Sequence, residues 1–192
     1  PPRSTLFPYT TLFRSRTEFY QLYFQTPGIA EAELARDTRK SLRCIIFSGS
    51  EDIDAAVGDS IGMVPRGGGF LSNTVDPDAL PAWITEADID AYAADFARTG
   101  FRGGLNWYRN IDRNWELLAP FAGAKVAVPA LYMAGDRDLV VKFRGFDRLI
   151  GNLEFFVPNL RDVVLLPGCG HWTQQERASE VNDAMIGFIE GL

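Results

Sequence analysis

Two apolar runs near the end of the chain, each closed by a glycine turn, restrict the fold more than any other feature. Val126 to Met133 reads VAVPALYM and is followed by Gly135-Asp136, while Val163 to Leu166 reads VVLL and is followed by Pro167-Gly168. Short continuous apolar runs bounded by turn residues suit buried parallel strands. A short helix is expected between them, near Phe143 to Leu153. Beyond the second run, Val181, Ala184, Met185, Phe188 and Ile189 follow the i, i+3, i+4, i+7, i+8 spacing of an amphipathic helix. The tail therefore reads β-α-β-α, the repeating unit of an α/β fold. Two parallel strands cannot bury both faces of a sheet, so further strands are expected upstream of residue 16, and the chain reads as truncated.

The region before the tail reads as helix and loop. Leu34, Thr38, Leu42, Ile45 and Ile46 share one face of a helix expected over Gly28 to Ser48, with Pro27 at its entry. Turn formers crowd Gly49 to Trp83, which is expected to be irregular. Thr85-Glu86-Ala87-Asp88 has the form of a capping box and opens a helix that stops at Gly100. A third helix is expected over Leu105 to Leu118. The first residues stand apart. Thr5 to Ser15, TLFPYTTLFRS, is the translation of a common sequencing-adapter oligonucleotide, so residues 1–15 are expected to be non-native and to pack against nothing. The expected division is 1–15 adapter-derived, 16–121 helical and 122–192 α/β.

The net charge of −6 and the scattered arginines provide no basic surface for nucleic acid or an anionic membrane. No apolar stretch approaches the roughly 18 residues of a membrane span. The two cysteines, Cys44 and Cys169, lack metal-ligand spacing, so a reducing, cytoplasmic setting is expected. The oligomeric state is not legible.

Each apolar run leads into residues capable of chemistry. The first gives Gly135-Asp136-Arg137-Asp138 and the second Gly168-Cys169-Gly170-His171-Trp172. Sites in open α/β sheets form outside the carboxyl ends of strands. An acid after one strand and a histidine after the next is how α/β-hydrolases order nucleophile, acid and base. A lone histidine is more often structural, but this one, the only one in the chain, is flanked by such a context. Asp138, three residues past Gly135, is expected to orient His171 in preference to Asp136. Gly58-Asp59-Ser60-Ile61-Gly62 is a literal G-x-S-x-G, but it lies in a turn-rich loop without the strand and helix a nucleophile elbow needs. Gly67 to Gly69 lacks the histidine of a lipase oxyanion loop. Cys169 reads as a small packing residue.

PALYMAGDRD, LLPGCGHWTQQ and the EVN helix resemble the end of soluble epoxide hydrolases, and FYQLYFQTPGIAEAEL and GFRGGLNWYRNIDRNWELL resemble their lid. The resemblance runs from about residue 17 to the C-terminus. It implies an α/β fold: a truncated α/β-hydrolase in which a helical lid (16–121) precedes the last two parallel strands and helices of the catalytic domain (122–192). In that family an Asp nucleophile opens the epoxide to a covalent ester, two lid tyrosines bind and protonate the oxygen, and a His-Asp pair activates water. By that resemblance Tyr20 and Tyr108 match the tyrosines, Asp138 the acid and His171 the base, with Gln21 and Trp172 as substrate-binding neighbours; Tyr23 ranks behind Tyr20. Substrate would be a small apolar epoxide, water the co-substrate, with no cofactor or metal. The family's His-Gly-aromatic-Pro and Gly-x-Asp-x-Gly motifs do not occur in these 192 residues, so this chain is expected to be inactive. Haloalkane dehalogenase, a serine esterase using Ser60, and a non-catalytic lid-like binding module are the competing readings.

Overall fold

The computed structural model describes residues 16–54, 58 and 60–192. The adapter-like segment and part of the G-x-S-x-G turn lie outside the described residues. Strand β1 (Thr17–Phe19) pairs antiparallel with β2 (Met63–Pro65), Thr17 opposite Pro65 and Phe19 opposite Met63. This small sheet falls where only helix and loop were expected, because three residues are too few to show alternation. Between its strands run α1 (Tyr20–Tyr23), α2 (Ile29–Leu34), a 3₁₀ turn (Ala35–Asp37) and α3 (Thr38–Ser48). The single helix expected over 28–48 is thus broken at Asp37. Its backbone leaves the helical region, and its carboxylate accepts from Lys40 N–H at 2.9 Å, making it the N-cap of α3.

Helix α4 (Glu86–Thr99) begins at the expected box, with Thr85 N–H donating to Asp88 at 2.9 Å and Asp88 N–H to Thr85 Oγ1 at 3.2 Å. The third expected helix is two: α5 (Arg102–Arg109) and α6 (Ile111–Leu117), parted at Asn110, whose side chain donates to the Asn106 carbonyl at 2.8 Å. Phe24, Ala30, Leu34, Leu42, Phe101 and Leu105 form the core of this part, and Tyr20 and Tyr108 pack against it.

The tail follows as β3 (Ala130–Gly135), α7 (Phe146–Ile150), α8 (Leu153–Phe156), β4 (Leu160–Leu166), α9 (Thr173–Glu176) and α10 (Ala178–Glu190). β3 and β4 pair in parallel, from Ala130 opposite Leu160 to Gly135 opposite Leu166. The strand starts at Ala130 instead of Val126, just past Pro129, which has no N–H for a ladder. A second core joins Leu166, Cys169 and Val181, with Met133 and Val164 against it. Of the expected α10 stripe, Val181 is buried while Met185 and Ile189 are exposed. No helix among the described residues is long and apolar enough to cross a membrane.

Candidate active site

β3 and β4 end side by side, so the turns after them meet. Asp136 N–H donates to the Leu166 carbonyl at 3.1 Å and Arg137 N–H to that of Cys169 at 3.0 Å. A Cβ on Gly135 would lie 2.1 Å from the Cys169 carbonyl oxygen, so only glycine permits this approach. From these turns, Asp138 Oδ1 lies 3.0 Å from His171 Nδ1 and also accepts from Val140 N–H at 2.9 Å. Asp136 is occupied elsewhere, accepting from Gly168 N–H at 2.8 Å. Asp138 is buried and His171 partly open. The hydrogen bond to Asp138 raises the imidazole's pKa above its ordinary value against the opposing effect of burial. An ionised Asp138 only accepts, so Nδ1 carries the proton and Nε2 is the basic nitrogen.

The two tyrosines come from opposite ends of the helical part. The turn from β1 into α1 carries Tyr20, whose N–H donates to the Gly62 carbonyl at 2.8 Å. Tyr108 lies in the last turn of α5, and the two rings are edge-to-face at 5.5 Å. Burial pushes both phenols above their ordinary value. Gln21 beside the Tyr20 hydroxyl offsets part of that rise, and the neighbouring Tyr20 adds to it at Tyr108. Both rings line a cavity of about 120 Å³ whose wall also includes His171, Trp172, Phe70 and Val140. Gln21 donates to the Tyr20 hydroxyl at 3.3 Å and is not in that wall. Trp172 is in the wall, but its indole N–H is held by the Ile46 carbonyl at 2.6 Å. Tyr23 turns away and donates to Glu33 at 2.7 Å.

Among the other candidates, Ser60 to Gly62 lead into β2 and not into a helix, with Met63 N–H donating to the Ser60 carbonyl at 3.1 Å. Gly67 to Gly69 border a separate polar groove beside Glu33. The Cys169 thiol is buried, which pushes its pKa up to about 11 and leaves no thiolate near neutrality. Sequence reasoning passed over Glu176, a buried carboxylate that binds backbone N–H groups on both sides of His171.

Epoxide hydrolase A of Mycobacterium tuberculosis is 44% identical to this chain over 100% of the chain and 58% of its own length. The chain belongs to the epoxide hydrolases of the α/β-hydrolase superfamily. No family model matches it. The bifunctional epoxide hydrolase 2 of Mus musculus is 37% identical over 89% of this chain and 29% of its own length. Among solved structures, an epoxide hydrolase from an endophytic Streptomyces superposes with a TM-score of 0.87 at 38% identity, over 91% of this chain and 52% of its own. Epoxide hydrolase A from Mycobacterium thermoresistibile gives 0.84 at 43% identity, over 96% and 56%. The chain thus spans little more than half the length of the bacterial epoxide hydrolases it resembles.

Proposed function

We propose that this chain carries the oxygen-binding and hydrolytic half of an epoxide hydrolase site. Tyr20 and Tyr108 bind the epoxide oxygen and donate a proton as the ring opens. His171, oriented by Asp138, then takes a proton from the water that cleaves the ester formed on an Asp nucleophile. No Gly-x-Asp-x-Gly elbow occurs in these 192 residues, so the whole protein draws its nucleophile from other sequence. The observation that carries this reading is the convergence of two tyrosines and His171, backed by Asp138, on one mainly apolar cavity. Ring opening develops charge on oxygen, and two preorganised O–H donors stabilise that charge without reorganisation. The apolar wall of Ile45, Ile61, Phe70 and Val140 suits a small apolar epoxide. Residues 16–121 act as the lid over this site, and the buried, unpaired cysteines suit a reducing cytoplasm.

The dehalogenase reading needs N–H donors for a halide. Trp172, the tryptophan in the cavity wall, already donates to Ile46, and Trp83 donates to Asp52. Trp107 and Trp115 are exposed. The test is to join residues 16–192 to the part of the M. tuberculosis relative that this chain does not span and to assay styrene oxide. Diol formation that depends on His171 is expected; a folded chimera that turns over a haloalkane and leaves the epoxide untouched would favour the dehalogenase reading.

A further inference from the structure

We propose that Glu176 is a positioning residue whose carboxylate fastens the His171 loop to the chain just past α3, fixing the imidazole in register with the tyrosine-bearing part. Glu176 is 7% exposed. Its Oε1 accepts from Trp172 N–H at 2.9 Å, and its Oε2 accepts from Gly170 N–H at 2.8 Å and Glu51 N–H at 3.2 Å. Two of these donors flank His171, and the third lies 125 residues from Glu176 in sequence.

The surrounding contacts place this carboxylate at a seam between the two parts. His171 N–H itself donates to the Gly49 carbonyl at 2.8 Å, and the Trp172 indole donates to that of Ile46 at 2.6 Å. The approach is close enough that a Cβ on Gly170 would lie 2.5 Å from the Glu51 nitrogen. Among the described residues no cation pairs with Glu176: Arg177, next in the chain, is bound to the Gly168 carbonyl and faces Glu51 at 3.8 Å. The charge is therefore met by backbone N–H groups, and three donors shared over two oxygens require a carboxylate. Glutamine has the same shape but one acceptor oxygen, and its NH₂ would oppose a backbone N–H. Packing alone would tolerate glutamine; this clamp does not.

The proposal takes His171 to be the base, as in the reading above, but its test needs no turnover. His171 is the only histidine, so the imidazole ¹⁵N signals of the full labelled chain report it alone. They are recorded well above the pH at which the ring titrates. Charge loss alone would shift the ring's titration, whereas the tautomer of the neutral ring follows the Nδ1–H bond to Asp138. The wild type should hold the Nδ1–H tautomer about tenfold or more over the other, as a charge-assisted hydrogen bond implies. Glu176→Gln should bring the two tautomers to comparable populations, with Glu176→Asp between. A Glu176→Gln protein that folds and keeps the wild-type tautomer would overturn the proposal.

Should Glu176→Gln fail to fold, amide exchange in the wild type decides. Slow exchange of Glu51, Gly170 and Trp172 N–H at one common rate supports a single clamp, and fast or independent exchange overturns it. Loss of epoxide turnover in the joined protein with these signals intact would instead count against the epoxide reading.

Discussion

Tyr20 and Tyr108 serve as donors because burial keeps their protons on. With both phenols raised above 10.0, neither ionises in the neutral range, so two O–H groups stand ready for an oxygen that gains charge. Replacing either by Phe leaves the packing against Phe24 nearly unchanged while deleting the donor. In the joined protein each substitution should lower kcat/KM by about 10²–10⁴, the usual yield of a positioned acid. A pair of near-neutral substitutions would remove the tyrosines from the chemistry. His171 carries a pH signature of the opposite kind. Its pKa is raised by Asp138, so its ion pair stabilises the fold fully below the ordinary value of 6.5. That contribution is lost as pH rises through the folded value. Thermal melts from pH 5 to 9 should show this decline, and Asp138→Asn should abolish it.

At the scale of elements, the tyrosine pair depends on how α5 is held against the turn after α1. Arg109, beside Tyr108, donates to Glu31 through both terminal nitrogens at 2.6 and 2.9 Å and through Nε to the Phe24 carbonyl at 2.9 Å. The pair is mostly buried, and the Arg109 hydrogen bonds hold the Glu31 carboxyl down at about 2. Its stabilisation is present above the ordinary value of 4.5 and is lost as pH falls toward 2. Arg109→Ala should cost about 1–3 kcal/mol, between the surface and buried limits for ion pairs, as read by urea unfolding at pH 7. It should also flatten acid sensitivity between those two values; unchanged stability would show that the bridge does not brace α5.

Local signals were legible in the sequence: the Thr85–Asp88 box, the glycine turns and the two apolar strands each need only neighbouring residues. Asp37 was not, because apolar periodicity continues across the break that its side chain caps. Glu176 was hidden for the converse reason, since its partners are backbone groups brought together by folding and backbone N–H carries no residue signature. Gln21 was expected at the substrate; its amide donates to the Tyr20 hydroxyl, beside the cavity wall.

For the whole molecule, the two cores are unequal. The helical part encloses a cluster of six buried residues, while the α/β part has Leu166, Cys169 and Val181 and leaves Val128, Phe155, Ile186 and Ile189 exposed. Apolar surface of this kind is costly, at about 1.5–3 kcal/mol for each large side chain left in water. Residues 16–192 alone should therefore bind a hydrophobic dye through these faces while the helical core and the His171 loop stay ordered. Absence of dye binding would contradict this. The same protein should form no diol above background, and Ser60→Ala should change nothing; turnover lost in Ser60→Ala would move the chain to the esterases. The central claim is that His171 cleaves an ester formed when the epoxide opens at this cavity. Its most direct measurement is the intact mass of the His171→Gln chimera after exposure to styrene oxide. The expected result is a single added mass of one substrate, which is absent in wild type at the end of turnover and is lost again when Tyr20 and Tyr108 are both Phe. An unmodified His171→Gln protein that still releases diol at the wild-type rate would contradict it.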